Sequence, residues 1–328
     1  MENTVVKIRE GWNKKELKKN VNKLARGVLI YELIMFLVVI IDMVGRIIFF
    51  YTSNNETDVD FVDKILNKAM NSGTSSIIAV FVGLLFLLFY FRKSDYGKVI
   101  FHSKEKMTGS AFLIILTIFM SAQAFFSLSS VGMEAYFNKF GLSILENINV
   151  ATSSSNTISM LLYASFIGPI TEEIVFRGYI MRGFQRYGSY YAIIMSAVVF
   201  GAFHGNLIQS IFAVLVGLVL GYVAMKYSIK WSFLLHIINN FIFGDLFFYL
   251  TKNMSESVQS GIIYVIEGFF LVTTIIILLL RRGKIRRIIK EIKIDKKLLG
   301  VTLTSVWMVI FLTLQLLLAI SGIEKLHN

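Results

Sequence analysis

The chain has 328 residues, of which 55% are hydrophobic and only 16% are charged. Average soluble domains carry about 25% charged residues, so this composition favours a chain that lies largely in lipid. The sequence contains no cysteine, which excludes disulfide frameworks, thiolate metal sites and cysteine nucleophiles. The formal net charge of +12 is typical of a chain that binds nucleic acid or an anionic surface, and the positions of the charges decide between the two.

Apolar runs recur along the whole chain at lengths close to the roughly 20 residues that a membrane-crossing helix needs. Nine such runs lie near residues 28–51, 75–91, 109–131, 156–181, 189–204, 208–226, 231–250, 258–280 and 299–321. The second and fifth runs are short. The sequence therefore predicts an all-α, polytopic transmembrane helical bundle with about eight to nine spans.

The runs divide the chain into four regions. They are a basic N-terminal segment at 1–26, three transmembrane helices within 27–155, a central group of spans within 156–250, and two C-terminal spans within 251–328 that are joined by a basic loop at 281–297. Because the polar residues described below gather in the central group, we expect it to hold the functional site.

The basic residues are concentrated in segments that alternate with the runs. Eight lie in 1–26, five in 92–106, nine in 281–297, and four more are Arg182, Arg186, Lys226 and Lys230, which makes 26 of the 33. If every run spans, all of these face one side, whereas the loop with Glu56, Asp58, Asp60 and Asp63 faces the other. This asymmetry predicts a multi-pass cell-membrane protein with a cytoplasmic N-terminus.

The same placement assigns the basic charge to lipid. We expect the basic cytoplasmic loops to attract anionic lipid, and no nucleic acid to be a partner. The loop at 281–297 has isoleucines among its basic residues, so it is predicted to lie on the membrane surface as an amphipathic anchor, with partner binding as the alternative.

Ionisable residues inside apolar runs are costly, so each is a candidate functional residue. The eight are Glu32, Asp42, Arg46, Glu172, Glu173, Arg177, Asp245 and Glu267. Asp42 and Arg46 are four residues apart and are interpreted as a structural ion pair. Glu32, Asp245 and Glu267 are isolated along the sequence, which favours interior packing or an interfacial position.

The remaining three ionisable residues lie together in the segment GPITEEIVFRGY at 168–179. Glu173 and Arg177 are four residues apart and can pair on one helical face. Glu172 then points about 100° away and is free to face a cavity.

Two of the four histidines lie in the following apolar runs. Glu172 precedes the turn at Gly188 by 16 residues and His204 follows it by 16, so an antiparallel hairpin places them at similar heights. His236 and Asn240 are four residues apart on the next but one run and project from one face. We expect these side chains to share one site.

Such a site contains the groups needed to hydrolyse a peptide bond with water. A carboxylate and an imidazole can hold and deprotonate a water molecule. A histidine and an asparagine can donate hydrogen bonds to a developing oxyanion. Glu172, His204 and His236 could instead bind a divalent metal such as zinc, although the sequence has no HExxH motif. The spacing alone leaves both mechanisms open.

The three motifs together resemble those of a known family. Glu172-Glu173-x-x-x-Arg177, Phe200-x-x-x-His204 and His236-x-x-x-Asn240 occur in the order found in the CPBP family of intramembrane endopeptidases. That family includes the CAAX prenyl proteases, bacteriocin-processing proteins and bacterial immunity (Abi) proteins. The resemblance covers roughly 155–250, while the first three and the last two spans match no motif.

The resemblance implies a role for each residue. Glu172 would be the general base, and His204 would hold the attacking water or a metal. Glu173 and Arg177 would orient Glu172 and brace its helix. His236 and Asn240 would form the oxyanion hole, or His236 would be a further metal ligand, while Phe200 would pack beside the site.

The implied substrate is a membrane-associated peptide or protein. Because the composition suits a low-GC Gram-positive bacterium, the resemblance points to bacteriocin or pheromone processing, or to self-immunity. The alternative from another class is a non-catalytic membrane scaffold or regulator with the same fold. A transporter is disfavoured, because the chain has no internal repeat and no pair of corresponding Gly/Pro-broken helices.

Overall fold

The structure, a computed structural model, describes residues 12–54, 72–94, 96, 100–101, 104–292 and 295–326. The acidic loop with Glu56, Asp58, Asp60 and Asp63 lies outside the described residues. The helices are α1 (Lys14–Asn54), α2 (Gly73–Tyr90), α3 (Gly109–Asn138), α4 (Leu145–Thr152), α5 (Ile158–Leu162), α6 (Gly168–Glu173), α7 (Met181–Gln185), α8 (Ser189–Phe203), α9 (Leu207–Lys226), α10 (Ile229–Ile237), α11 (Phe247–Thr251), α12 (Glu256–Leu280), α13 (Arg282–Glu291), α14 (Lys296–Leu303) and α15 (Val306–Ser321).

Three π-helical segments lie between some of these helices and continue their axes. They are π1 (Tyr163–Ile167), π2 (Ile174–Ile180) and π3 (Ile238–Leu246). Two strands of two residues each, β1 (Leu142–Ser143) and β2 (Glu324–Lys325), pair antiparallel. The predicted all-α bundle is confirmed, since the only sheet among the described residues is this short pair.

The ends of the helices follow from local sequence. Thr108 caps α3 by accepting a hydrogen bond from the backbone N–H of Ala111 at 3.2 Å, and Asn206 caps α9 in the same way from Gln209 at 3.0 Å. Gly188 and Gly205 adopt φ values of 126° and 52°, which side chains disfavour. These two glycines bound α8 and its C-cap His204, so glycine turns fix both ends of this segment.

Seven helices among the described residues are long and apolar enough to cross a membrane. The pair α14–α15, bent by 70°, raises the number to eight if it is counted as one span. The run at 189–204 forms α8, which at 15 residues covers only about 22 Å, less than the roughly 30 Å of a bilayer core. The chain is thus a multi-pass bundle, near the lower end of the predicted number of spans.

The basic segments meet at one end of this bundle. Arg186 pairs with Glu16 at 3.1 Å, and Lys226 pairs with Glu105 at 3.2 Å. The loop after α12 joins them, because Tyr190 donates to Glu291 at 3.5 Å. This arrangement agrees with the charge asymmetry in the sequence. The cytoplasmic orientation of that end stays a prediction.

The loop at 281–297 contains the predicted helix, which is α13. None of its residues is buried, and Ile285, Ile288 and Ile289 lie three and four residues apart, on one face of the helix. Asp295 precedes α14, and its carboxylate caps that helix by accepting a hydrogen bond from the backbone N–H of Lys297 at 2.8 Å. Contact between α13 and anionic lipid stays a prediction.

Helices α8 and α9 pack very closely at Gly201, three residues before His204. A Cβ atom added there would lie 2.6 Å from the carbonyl oxygen of Ser210 and 2.4 Å from a methyl group of Val214. We expect Gly201→Ala to lower stability by about 1–3 kcal/mol, because α8 and α9 would have to separate. The loss should be measured as a lower melting temperature of the purified protein in detergent.

Gly132 in α3 is the matched control. A Cβ atom added at Gly132 meets nothing within 4 Å, so Gly132→Ala should leave stability unchanged or raise it by about 1 kcal/mol through helix propensity. Equal melting temperatures for the two variants would contradict the close packing of α8 against α9.

Candidate active site

The predicted site residues lie where the backbone leaves regular α-helical geometry. Glu173 is the last residue of α6, and π2 begins at the next residue. His236 is the penultimate residue of α10, and π3 begins at Ile238 and contains Asn240. π-Helical segments inside α-helices frequently mark functional sites. Because π-helical hydrogen bonds join residues five apart, the α-helical spacing used for the sequence prediction does not apply unchanged beyond Glu173 and His236.

Glu173 is fully buried and holds three partners. Its Oε1 atom accepts from Arg177 Nη1 at 2.8 Å and lies 3.0 Å from His236 Nδ1. Its Oε2 atom accepts from the hydroxyl of Ser232, which lies one helical turn before His236. A buried carboxylate requires such compensation. The predicted ion pair with Arg177 is present. The sequence interpretation had Glu173 orient Glu172, whereas in the structure Glu173 contacts His236.

Arg177 lies behind the site and is 1% exposed. Its guanidinium group lies 4.2 Å from the ring centre of Phe200, and Nη2 donates to the carbonyl oxygen of Gly217 at 3.4 Å. Stacking on an aromatic face and pairing with a carboxylate are both typical of buried arginine. Arg177 therefore fixes Glu173 and Phe200 at the same time.

Phe200 stands between the two imidazole groups. The rings of His204 and His236 meet it edge to face, with centroid distances of 4.8 Å and 5.9 Å. Its position beside the site, predicted from the family resemblance, matches the contacts in the structure. Phe200 thereby sets the orientation of both histidines.

Glu172 faces His236 from the other side. Its Oε2 atom lies 3.7 Å from His236 Nε2, and 26% of its side chain remains accessible. The distance exceeds that of a direct hydrogen bond. Glu172 thus points into an accessible space, while Glu173 is sealed behind it, which is the division of orientations that the sequence predicted.

The hydrogen bonds of the histidines fix their tautomers. His204 Nδ1 lies 2.8 Å from the carbonyl oxygen of Phe200. Since a carbonyl can only accept, Nδ1 carries the hydrogen, and Nε2 of the neutral ring is an acceptor. His236 Nδ1 likewise donates to the Glu173 carboxylate, which leaves Nε2 directed at Glu172.

Asn240 is held by its neighbours. Its Nδ2 atom donates to the carbonyl oxygen of Ala164 in π1 at 3.0 Å, and its Oδ1 atom accepts from Asn239 at 3.0 Å. Asn239 in turn accepts from Gln123 of α3 at 2.7 Å. One of the two Nδ2 hydrogens of Asn240 remains for a ligand. The sequence analysis missed Asn239, Gln123 and Ser232, because neutral polar side chains in apolar runs carry no distinctive spacing.

A single cavity of about 520 Å³ joins these side chains. Glu172, His204, His236 and Asn240 all line it, and helices α3 and α12 supply much of its remaining wall. This volume lies within the roughly 300–1,000 Å³ typical of ligand sites. The four side chains that the sequence placed in one site thus open onto one space.

The fit of a metal ion can be tested on the donor groups themselves. Glu172, His204 and His236 each present a free donor atom of a type that binds zinc. Among the described residues, however, no three His, Asp or Glu side chains form a group that could hold a metal ion. The side chains as arranged do not fit the metal set that the sequence allowed.

The other ionisable residues of the spans have separate partners. Asp42 and Arg46 form the predicted pair at 2.6 Å, and both side chains are partly exposed. The hydroxyl of Ser75 also donates a hydrogen bond to Asp42. Glu32 accepts from Gln315 at 2.8 and 2.7 Å, so it packs in the interior. Asp245 and Glu267 both lie in the cavity wall.

Residues 154–242 match the family described as Type II CAAX prenyl endopeptidase Rce1-like. None of the curated proteins and none of the solved structures matches the chain. The matched segment contains all six predicted site residues and agrees with the CPBP resemblance of the three motifs.

Proposed function

We propose that this multi-pass chain, whose residues 154–242 form a CAAX-type protease domain, is a membrane endopeptidase in which Glu172 activates the attacking water. One observation carries the proposal: Glu172, His204, His236 and Asn240 line one cavity, with the Glu173–Arg177 pair buried behind them. The matched family supports proteolysis in general, and the assignment of each residue is our own.

The attacking water is bound between Glu172 and His204. His204 Nε2 accepts one hydrogen of the water, because Nδ1 is committed to Phe200. Glu172 removes the other hydrogen as the oxygen attacks the carbonyl carbon of the substrate. A new C–O bond forms, and the electrons of the C=O double bond move to the carbonyl oxygen.

His236 and Asn240 stabilise the resulting oxyanion. Asn240 offers its remaining Nδ2 hydrogen, and His236 donates through Nε2 when that atom carries a hydrogen. Collapse of the intermediate breaks the C–N bond, and the leaving nitrogen takes the proton from Glu172. Glu172 is thereby returned to its carboxylate form.

Glu173 and Arg177 act as positioning residues. Glu173 holds His236 through Nδ1, and Arg177 holds both Glu173 and Phe200. The hydrogen bond from Nδ1 to the Glu173 carboxylate fixes the orientation of the His236 ring, in the same way that a carboxylate orients the histidine of hydrolytic triads.

The substrate is a membrane-associated peptide or protein. From the motif resemblance, we assign its biological setting to bacteriocin or pheromone processing, or to self-immunity. A non-catalytic scaffold remains the outcome to expect if no peptide is cleaved while the protein is folded.

Cleavage in ¹⁸O-labelled water tests the proposal. Purified protein in liposomes should convert a panel of apolar peptides to two fragments, with one ¹⁸O atom in each new carboxyl group, because hydrolysis takes the new oxygen from water. We also expect chelation of divalent metals to leave the rate within about twofold, since the donor groups do not form a metal site. Mass spectrometry measures both.

Two results would contradict this mechanism. Loss of activity on chelation, with recovery on adding zinc, would indicate that a bound metal activates the attacking water and that Glu172 does not do so alone. Transfer of the acyl fragment to added hydroxylamine would indicate a covalent intermediate on an attacking protein group. The same protein boiled before the assay is the blank.

A further inference from the structure

The wall of the cavity is acidic away from the reaction centre. Its carboxyl groups are those of Glu172, Asp245 and Glu267, and no Lys or Arg lines it in the part of the chain that the structure describes. A site with one sign of charge and low-dielectric walls attracts the opposite sign. The three carboxyl groups differ, however, in how completely the protein satisfies them.

Asp245 is fully engaged. Its Oδ1 atom accepts from the backbone N–H of Ser155 at 2.8 Å, and its Oδ2 atom accepts from Ser165 at 2.5 Å. Asp245 thus joins the loop before α5 to π1 and π3. It has a structural role and is not available to a substrate.

Glu267 is different, because one of its oxygens is open. Its Oε1 atom accepts from the hydroxyl of Ser127 at 2.7 Å, and no described residue donates to Oε2. The side chain lies near the middle of α12, an apolar helix in which Thr274 is the one buried residue. A carboxylate in the middle of an apolar helix is energetically costly, and this makes Glu267 a candidate functional residue.

The position of Glu267 is set by the pairing of α12 with α3. Thr274 donates to the carbonyl oxygen of Thr117 at 3.2 Å, and Ser127 donates to Glu267, so the two helices run antiparallel. Both helices lie outside the segment 154–242. The residues that line the cavity around Glu267 therefore come from the parts of the chain that match no motif.

A row of polar side chains connects Glu267 to the reaction centre. Asn240 contacts Asn239, which contacts Gln123, and Ser127 lies one helical turn, about 6 Å, beyond Gln123. Amide side chains can bond both the N–H and the C=O of a peptide backbone. An extended peptide that follows this row from Asn240 arrives at Glu267.

We propose that Glu267, held by Ser127, is a specificity subsite for a cationic side chain, lysine or arginine, of the peptide substrate. This inference rests on the proposed function, since it assigns the substrate of the same cavity. The open Oε2 atom receives the ammonium or guanidinium group. Phe126 and Phe270 line the cavity as well, and an aromatic face turned toward the cation would stabilise it further.

Peptide binding without cleavage tests the subsite separately from catalysis. The protein carries Glu172→Gln, so bound peptides stay intact, and it is placed in nanodiscs of zwitterionic phosphatidylcholine, so the lipid does not attract cations. The probes are fluorescent Leu/Ala peptides with a single Lys, or Gln in its place, moved along the sequence. At one position, we expect the Lys peptide to bind about tenfold more tightly than the Gln peptide.

The second variant assigns that preference to Glu267. Adding Glu267→Gln should reduce the preference to within about twofold and leave the affinity for the Gln peptide unchanged, since the amide keeps the bond from Ser127. Glu256→Gln, an exposed residue at the start of the same helix, should leave the preference intact.

The outcomes separate this inference from the proposed function. The subsite is refuted if no position prefers Lys, if the preference survives Glu267→Gln, or if both peptides lose affinity equally, which indicates a structural role. Should Glu267→Gln fail to fold, the absence of any Lys preference in the scan on the protein that keeps Glu267 would still refute the subsite. Lys-selective binding without hydrolysis by the chain with Glu172 intact would refute the endopeptidase and leave the subsite standing.

Discussion

Glu172→Gln is expected to lower kcat/KM for peptide cleavage by about 10³-fold, within the range of about 10²–10⁴ that general-base catalysis contributes. Glutamine preserves the size of the side chain and its place opposite His236, whose Nε2 atom lies 3.7 Å from Glu172 Oε2 in the wild type. It cannot take a proton from water. The loss should appear in kcat, with KM changed little, because peptide binding does not require the proton transfer. Quenched fluorescent peptides in liposomes provide the measurement.

The matched control for this variant is Glu256→Gln. It makes the same chemical change at an exposed position of α12, and it should retain full activity. An equal melting temperature for the two variants shows that folding is unaffected. A Glu172→Gln protein that cleaves at the wild-type rate would refute the assignment of the base.

Arg177→Met is expected to be the most destabilising single change near the site, at about 3–5 kcal/mol. The Arg177 and Glu173 side chains are both 0% exposed, and methionine would leave Glu173 as a buried carboxylate without its cation. We expect a large drop in melting temperature, or loss of folded protein from detergent. Adding Glu173→Gln should recover much of the loss, because the uncompensated charge is then removed.

Arg46→Met is the control, because it removes the cation of another carboxylate–arginine pair with the same spacing. The side chains of Arg46 and Asp42 are 38% and 27% exposed, so this variant should cost at most about 1 kcal/mol. Equal losses for Arg46→Met and Arg177→Met would contradict the claim that burial makes the difference. The failure of Glu173→Gln to recover any stability would do so as well.

Much of this arrangement could be predicted from the sequence because the underlying patterns are local. Long apolar runs define spans, and the four-residue spacing of Glu173 and Arg177 predicted a pair that the structure contains. The equal distances of Glu172 and His204 from Gly188 predicted a shared height, and both side chains line one cavity. These predictions needed only helix geometry and a short turn.

Other features depend on contacts that the sequence does not encode locally. The hydrogen bond from His236 to Glu173 depends on how α10 packs on α6, and it redirected Glu173 away from the role predicted for it. The three π-helical segments have no sequence signature that we used. Helices α3 and α12 carry no motif, so their part in the cavity wall emerged only from packing.

The pairing of Glu173 with Arg177 on neighbouring turns of one rod has a consequence for biosynthesis. Each of these charges, alone at the centre of a helix, would cost about 2.5–3.5 kcal/mol on insertion. Since each finds its counter-ion within four residues, the segment can enter the bilayer from the translocon already neutralised, before His236 has been synthesised. The buried ion pair of the site can thus be inserted into the membrane before the later helices are present to compensate its charges.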